Sequence, residues 1–307
     1  LTTLWSDQLR ASLIARFSEQ RAEKLFRLYA TAFPDAYTQR YDISSTVHDI
    51  DKIEDSLKRG GIAVELFQIK SESPNYAHLK IYNPETEIAL SDILPTLEHM
   101  GFRAIEERPF EVTVQHAPRV WIRDVKLEAV RVPADFAAVK PLFEEALLRI
   151  WAKAIDDDRF NALILSATLD FLQANMLRAY AKYLKQAGFT YTPPVIAATL
   201  NAYPDMARAL VAYFEARFDP KAETREERMT ETAAHIEPLL AQAATLADDR
   251  ILRGLYKTMQ ATLRTNYYQT ASDGGIKPVL SFKFDSALVP DLPKPKPYAE
   301  IFVSSAP

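Results

Sequence analysis

Cysteine is absent from the 307 residues, and this absence excludes several kinds of site at once. A disulfide scaffold, a zinc ribbon, an iron–sulfur cluster and a thiol nucleophile all need cysteine side chains. Long apolar runs are absent too, because no stretch approaches the roughly 18–20 residues that span a bilayer. No signal-peptide pattern precedes Trp5. We therefore expect a cytoplasmic protein.

Glycine is scarce, with 7 residues in the whole chain. Loops that hold phosphate groups need several closely spaced glycines, so that the backbone can approach the ligand. Neither a dinucleotide-binding fingerprint nor a P-loop is present. The sequence therefore predicts no nucleotide-binding catalytic domain and no cofactor bound within these residues.

Positive charge is neither in excess nor clustered. The net charge is −4, the isoelectric point is near 5.8, and Lys294 and Lys296 stand alone among prolines. No global field favours nucleic acid or an anionic membrane, and we expect neither as a partner. With 48% hydrophobic and 25% charged residues, the chain is typical of a globular protein with a buried core.

The first 129 residues change their apolar period several times. Residues 6–33 have helical spacing, with Ser6 and Ser18 as predicted N-caps and Pro34 as the end. Between residues 41 and 129 the pattern predicts the order helix, strand, strand, helix, strand, strand. The helices run from a capping box at Thr46 to Gly60 and from Ser91 to Gly101, and the strands are 62–69, 76–82, 102–107 with an extension to 114, and 120–129.

This order corresponds to a ferredoxin-like βαββαβ unit whose first strand has moved to the end. The block resembles an ACT domain, a small amino-acid-sensing module of metabolic enzymes, in the permuted order αββαββ. Such a sheet is expected to bury one face under its two helices and to leave the other face available. The predicted fold class is α+β, with this ACT-like antiparallel sheet followed by an all-helical region and a short C-terminal β segment.

From Pro133 to about Gln269 every apolar pattern is helical. Pro133 suits a first helical turn, Thr168 is the predicted start of a helix that ends at Gly188, and the last helix is predicted over 248–268. We divide the chain into a helical segment (1–38), the ACT-like domain (39–131), a helical domain (132–248) and the start of a catalytic-core region (249–307).

Polar residues that carry chemistry in other proteins are present but not arranged for it. The five histidines, His48, His78, His99, His116 and His235, show no metal-ligand spacing and are interpreted as helix-surface or strand-face residues. The triplet 156–158 is interpreted as a solvated turn and N-cap rather than a calcium loop. Glu106-Glu107 and Glu144-Glu145 are adjacent pairs that point in different directions and cannot share a proton.

Aromatic and proline-rich segments favour structural interpretations. The stretch Tyr180–Tyr191 lacks the basic neighbours of a base-stacking platform and is predicted to form a core or an inter-helix seam. Pro293, Pro295 and Pro297 are predicted to form a stiff connector. No GxSxG elbow occurs. We therefore assign no catalytic, cofactor-binding or metal-binding residue, and any ligand-binding residues remain unknown.

The closing segments of the chain, Ala261–Gln269, Lys277–Ser286 and Pro293–Val303, resemble the large NAD-specific glutamate dehydrogenases of bacteria. Four earlier stretches support the resemblance: Leu90–Pro95 with Glu98–Gly101, Glu107–Val112, Arg178–Leu184 and Glu215–Pro220. The resemblance covers essentially the whole chain in one order.

The resemblance implies a parent enzyme that oxidises L-glutamate to 2-oxoglutarate and ammonia with NAD. In that family the substrate motif, the catalytic lysine and the Rossmann domain follow the position of Val303, so this chain alone is predicted to be inactive. Its expected contribution is regulatory and architectural, with its own catalytic core, other subunits of a homo-oligomer and an amino-acid effector as partners.

Both ends of the chain suggest a piece of a longer protein. The strand-like run from Tyr298 has no predicted partner strand, and the chain begins at Leu1 rather than at methionine. The alternative is a free-standing ACT-like amino-acid-binding regulatory or adaptor protein. A gene that continues beyond Pro307 with a glycine-rich nucleotide fingerprint favours the first interpretation, and a stop codon there favours the alternative.

Overall fold

The computed structural model describes the backbone of residues 2–305 and the side chains of residues 5–305. Its contacts divide the chain into two compact units, an N-terminal unit of residues 1–97 with 102–130, and a C-terminal unit of residues 98–101 with 131–307. The finer division into four parts remains a prediction. No helix in the described range combines the length and the hydropathy that crossing a bilayer requires.

The N-terminal unit surrounds a four-stranded antiparallel sheet. Its helices are α1 (Thr2–Arg16), α2 (Glu19–Tyr29), α3 (Asp35–Thr38), α4 (Ile43–Arg59) and α5 (Leu90–His99), the last of which ends in the residues assigned to the other unit. Its strands are β1 (Ala63–Phe67), β2 (Tyr76–Pro84), β3 (Phe102–Val112) and β4 (Val120–Ala129), in the sheet order β1-β2-β4-β3.

This topology confirms the permuted ferredoxin-like fold. The last strand, β4, lies between β2 and β3, where a ferredoxin-like unit would place its first strand. Every residue from Ala77 to Asn83 in β2 is buried, so the expectation that one sheet face stays open is wrong for this central strand.

The C-terminal unit is helical and ends in a three-stranded antiparallel sheet. Its helices are α6 (Phe136–Trp151), a 3-10 turn (Arg159–Ala162), α7 (Leu163–Ala167), α8 (Phe171–Gln186), α9 (Pro193–Ala202), α10 (Pro204–Phe218), α11 (Arg225–Leu240) and α12 (Leu246–Ala261). The strands β5 (Thr262–Thr265), β6 (Val279–Phe284) and β7 (Glu300–Ser305) follow in the order β5-β6-β7. The α+β class with a short C-terminal β segment is therefore confirmed.

The core of this unit joins helix α8 to the small sheet. The ring of Tyr180 stacks on Phe282 with centroids 4.4 Å apart, and that of Tyr183 stacks on Phe284 at 4.0 Å. The Tyr180 hydroxyl also hydrogen-bonds the Thr262 hydroxyl at 2.8 Å. The interpretation of Tyr180–Tyr191 as a core seam is thus confirmed for these two tyrosines.

Several predicted helix starts are wrong because a nearby aspartate caps the helix instead. Asp42 caps α4 by accepting from the Ser45 amide at 2.7 Å, so Thr46 lies inside the helix. Asp135 caps α6 in the same way, and Asp170 forms a capping box at the start of α8. Aspartate side chains satisfy the unpaired amides of a first turn as well as threonine does.

The first predicted helical segment contains two helices, because α1 ends at Arg16 and α2 begins at Glu19, directly after the predicted N-cap Ser18. Ser6 lies inside α1, and Ser18 occupies the N-cap position of α2 without a side-chain hydrogen bond to the helix amides. The predicted end of α4 at Gly60 is confirmed, because Gly60 follows the last helical residue in the left-handed conformation, with φ of 63°.

The last predicted helix and the last predicted strand need correction. Helix α12 ends at Ala261, and residues 262–265 pair with β6 as strand β5 rather than continuing the helix. The strand near the end of the chain does have a partner, because β7 pairs with β6 from Glu300 opposite Phe284 to Ser305 opposite Val279.

Candidate functional site: a buried polar network and its pocket

One face of the four-stranded sheet carries a row of polar side chains. Glu65 of β1 is the register partner of Lys80 in β2, and Lys80 is the partner of Asp124 in β4. Partners in neighbouring strands point to the same face, as do residues two apart in one strand, so His78 and Tyr82 join this row. The sheet therefore places acids and bases from separate strands side by side.

Asp49 of α4 is the central acceptor of this network. Its carboxylate accepts hydrogen bonds from Lys80 Nζ at 2.6 Å, from the Tyr82 hydroxyl at 2.7 Å and from the Tyr37 hydroxyl. The side chains of Lys80 and Asp49 are only 4% and 2% exposed. A buried ion pair of this kind needs such additional hydrogen bonds to offset the loss of hydration.

Lys80 also contacts an aromatic ring. Its Nζ lies 3.9 Å from the centroid of the Tyr41 ring, which is within the range of a cation–π interaction. The Tyr41 hydroxyl in turn donates a hydrogen bond to Asp124. Tyr41 therefore connects the Asp49–Lys80 pair to a second acidic group across the sheet.

Asp124 and His78 form the other half of the network. His78 Nδ1 lies 3.4 Å from Asp124, and Nε2 lies 3.1 Å from Glu72, which also pairs with Lys126 at 3.0 Å. Burial alone lowers the pKa of His78, but Asp124 and Glu72 outweigh it and the pKa is raised. Burial alone raises the pKa of Asp124, but His78, Tyr41 and Lys80 outweigh it and the pKa is lowered.

The tyrosines of the network act as donors. Burial, followed by the charge of Asp49, raises the pKa of Tyr37 and of Tyr82 above the ordinary value for tyrosine. Burial and the charge of Asp124 do the same for Tyr41. Since all three phenols stay protonated near neutral pH, each can donate to the carboxylate that it contacts.

A pocket of about 340 Å³ opens beside this network at the start of α4. Arg16, His48 and Lys80 line it together with the acids Asp49 and Glu65, and the serines of the first α4 turn and Phe67 complete the lining. Glu65 is held by His48 and Lys52, each at 2.8 Å. The pocket thus presents both signs of charge, with one aromatic wall, in a volume at the small end of ligand sites.

The histidines do not form a common site. His78 is buried rather than on an exposed strand face, His48 pairs with Glu65, and His99 pairs with Asp157 at 2.9 Å. His235 hydrogen-bonds the Glu231 carbonyl at 2.8 Å. Within the described residues, no three His, Asp or Glu side chains are grouped as metal ligands would be.

The acidic triplet is a cap, as predicted, and it also binds a buried arginine that the sequence analysis missed. Asp158 caps the 3-10 turn by accepting from the Phe160 amide at 3.0 Å. The same carboxylate accepts two hydrogen bonds from Arg178, at 2.8 Å and 2.9 Å, and Asn161 accepts a third at 2.7 Å. Arg178 is fully buried, so this cluster ties α8 to the loop before the 3-10 turn.

The adjacent glutamate pairs bind cations separately. Glu106 and Glu107 pair with Arg108 and Arg123, and Glu144 and Glu145 pair with Lys140 and Arg149.

The proline-rich stretch 293–297 lies in the connection between β6 and β7, as predicted.

The network itself was missed because its members come from distant parts of the chain. One local signal was available. Asp49 lies three residues after Thr46 and four residues before Ile53, on the stripe of α4 that is buried. Lys80 and His78 offered no comparable signal, because an alternating strand with polar residues on one side is typical of a solvent-facing face.

Comparison with known proteins matches four successive segments to models of glutamate dehydrogenase. Residues 12–55 match helical motif 2, residues 61–139 the ACT3 domain, residues 155–220 helical motif 3, and residues 235–307 the catalytic domain of bacterial NAD-glutamate dehydrogenase. The ACT3 match covers all four strands of the N-terminal sheet.

Curated relatives agree with these models over nearly the whole chain. The chain is 39% identical over 302 residues to an NAD-specific glutamate dehydrogenase of Halomonas elongata, 36% over 312 residues to one of Mycobacterium tuberculosis, and 32% over 306 residues to one of Pseudomonas aeruginosa. Each match includes 98% of this chain but 19% of the relative, so the chain spans about a fifth of their length. The resemblance to bacterial NAD-specific glutamate dehydrogenases is confirmed.

Proposed function

We propose that this chain, a relative of the bacterial NAD-specific glutamate dehydrogenases, is a non-catalytic regulatory and structural part of such an enzyme. The whole enzyme would oxidise L-glutamate to 2-oxoglutarate and ammonia with NAD as the cofactor. Support comes from the relatives, which carry that name and align with 98% of the chain. In this proposal the remainder of the enzyme catalyses the reaction, and the part formed by this chain regulates it.

The regulatory role that we propose is amino-acid binding in the pocket at the start of α4. An amino acid carries a carboxylate and an ammonium group a few ångströms apart, so its site needs both signs of charge at short range. Here Arg16 supplies the cation, and Glu65, which His48 and Lys52 also contact, supplies the anion in the lining of the same pocket. This pairing of charges is the single observation that carries the proposal.

The donors and acceptors in the pocket suit such a ligand. The Arg16 guanidinium has five N–H donors, and its hydrogen bond to Asp51 at 2.9 Å uses Nη2. The side chain of Arg16 is 42% exposed, so a carboxylate can reach it without unfolding the unit. Lys80 is less suitable as the direct contact, because Asp49 and the Tyr41 ring already surround its ammonium group.

Isothermal titration of the chain with a panel of amino acids tests this role. We expect saturable heat with at least one of them and at least about tenfold weaker binding for Arg16→Gln, because a charge-assisted contact is lost. Arg59→Gln is the matched control: Arg59 is also an exposed arginine in an ion pair, with Asp55 at 2.9 Å, but it lies outside the pocket. No heat with any amino acid, or equal loss in both variants, contradicts the proposal.

The catalytic part of the proposal is tested separately. We expect no NADH formation from L-glutamate and NAD by this chain alone, and NADH formation by the product of the complete gene. A complete gene product that is inactive with glutamate but binds an amino acid supports the alternative, a free-standing ACT-like regulatory or adaptor protein.

Assembly into a homo-oligomer and a cytoplasmic location also remain proposals. Size-exclusion chromatography of the chain and of the complete gene product tests the first: an oligomer of the chain alone would locate subunit contacts in these residues. A monomer in both samples would contradict the architectural role.

A further inference from the structure

A second and larger cavity, of about 810 Å³, also lies in the N-terminal unit. It is formed by residues along most of α2, by Ser18 just before that helix, and by the loop between β3 and β4, which contributes His116. Of the four charged side chains that α2 contributes to the lining, three are basic. This cavity has no part in the function proposed above.

The basic residues are placed by helical spacing. Arg21, Lys24 and Arg27 follow one another at intervals of three residues, so they lie along one side of α2. All three are exposed and all three line the cavity. The sequence of α2 therefore concentrates three positive charges along a single wall.

Two of these charges are uncompensated. Glu23 lines the same cavity but pairs with Arg10 at 2.6 Å, and Arg21 pairs with Asp51 at 3.1 Å. For Lys24 and Arg27, no carboxylate within the described residues lies at ion-pair distance. An uncompensated cation pair in a concavity attracts an anion more strongly than the same pair on a convex surface.

The start of α2 adds positive potential beside Ser18, but not beside Arg27, which lies in the last turn of the helix. Ser18 lines the cavity at the N-cap position, yet its side chain makes no hydrogen bond to the first-turn amides. The positive end of the helix dipole lies at this end. Glu19 in the same turn opposes this effect in part, and it does not line the cavity.

From the cavity, its cations and their charge balance, we infer that this is a binding site for a small phosphate-bearing anion. Lys24 supplies a point charge and Arg27 a planar fork, and both are suited to phosphate oxygens. Among the described residues that line the cavity there is no Phe, Tyr or Trp, and the imidazole of His116 is their one ring, so the cavity offers little surface on which a nucleobase would stack. Recognition is therefore directed to phosphate groups rather than to a base.

Isothermal titration with pyrophosphate at low ionic strength tests this site, with succinate as a dianion that lacks phosphate. We expect saturable binding of pyrophosphate, weaker binding of succinate, and at least about tenfold weaker pyrophosphate binding for Lys24→Gln with Arg27→Gln, because two charge-assisted contacts are lost. Added salt should weaken the binding, since both side chains are exposed to the solvent.

Two further variants control the interpretation. Lys58→Gln removes one exposed positive charge at the end of α4, outside the cavity, and should change the affinity by less than about twofold. Lys24→Arg with Arg27→Lys keeps both charges and should retain most of the binding. Far-UV circular dichroism of all variants should match the parent chain, because the substituted side chains are exposed. Absence of pyrophosphate binding, equal binding of succinate, or an equal loss in Lys58→Gln overturns the inference.

Discussion

The buried Asp49–Lys80 pair offers the sharpest test of how the N-terminal unit is stabilised. In Asp49→Ala the ammonium group of Lys80 and the hydroxyls of Tyr37 and Tyr82 lose their common acceptor. Removing one partner of a buried ion pair typically costs about 3–5 kcal/mol, because the other charge stays buried without compensation. Domains are stable by only about 5–15 kcal/mol, so this substitution should remove a large fraction of the stability of the unit.

The compensating variant separates charge from packing. In Asp49→Ala with Lys80→Met both charges are gone, and methionine keeps most of the apolar stem of lysine. We expect this double variant to recover at least about half of the lost stability, since replacing a buried pair by apolar groups is often neutral or stabilising. The two tyrosine hydroxyls still lack an acceptor, which explains why recovery should be incomplete.

Urea unfolding at neutral pH, followed by far-UV circular dichroism and tryptophan fluorescence, measures these differences. Trp5 reports on the N-terminal unit because its ring contacts Phe33 in that unit's core. The reasoning is refuted if Asp49→Ala costs less than about 1 kcal/mol, or if the double variant is as unstable as the single one. Either result would mean that water or a rearrangement compensates the buried lysine.

Three other predictions concern separate features. Because the pKa of His78 is raised in the folded chain, its charged form stabilises the fold fully below the ordinary pKa near 6.5, and this contribution is lost as the pH rises through the raised pKa. Because the pKa of Asp124 is lowered, its charged form stabilises the fold above about pH 3.8, and this contribution is lost as the pH falls through the lowered pKa. Urea midpoints should therefore be highest between about pH 4 and 6.5, and His78→Gln should reduce their decrease at higher pH. Gly254→Ala should destabilise the C-terminal unit by up to about 2 kcal/mol in thermal unfolding, because a Cβ there would lie 2.8 Å from Cζ of Phe189. This overpacking outweighs the better helix propensity of alanine, and adding Phe189→Leu should restore part of the lost stability. Arg178→Met should cost about 1–3 kcal/mol in urea unfolding, less than the Asp49 variant, because the side chain of its partner Asp158 is 38% exposed and stays hydrated.

Each of these predictions has a result that would contradict it. A flat pH profile in the parent chain would show that the His78–Asp124 contact does not form in solution. An unchanged or increased melting temperature in Gly254→Ala would mean that the Phe189 ring moves aside at little cost. A loss in Arg178→Met as large as that of Asp49→Ala would show that partial exposure does not reduce the cost of an unpaired carboxylate.

The sequence was sufficient for those elements whose pattern is local and unambiguous. Strand β4 was predicted with its observed bounds, Val120 to Ala129, because it begins with strand-forming Val, Trp and Ile and its apolar residues alternate with polar ones from Val125 to Ala129. Gly60 was predicted to end α4, because a left-handed residue at a helix end is most often glycine. The order of elements in the N-terminal unit then implied the permuted ferredoxin-like sheet.

Elsewhere local patterns were compatible with more than one structure. The spacing of Leu263 and Tyr267 continues that of helix α12, so the pattern alone extended the helix beyond Ala261. Hydrogen bonds with β6 make residues 262–265 a strand instead, and no feature of that segment itself could reveal its partner. The caps at Asp42 and Asp135 were missed for a similar reason: several polar residues near a helix start can satisfy the same amides.

By itself, the sequence determined the α+β class, the permuted sheet order, the family resemblance and the absence of cysteine-based or glycine-loop chemistry. Only the tertiary structure decided where the polar residues of the candidate site meet, because Asp49, Lys80 and Asp124 are brought together by the packing of α4 and by strand register rather than by sequence spacing. It also decided that the polar face of β2 is buried and that β7 has a partner. Contacts between distant segments depend on the geometry of the whole fold, and no window of the sequence contains that information.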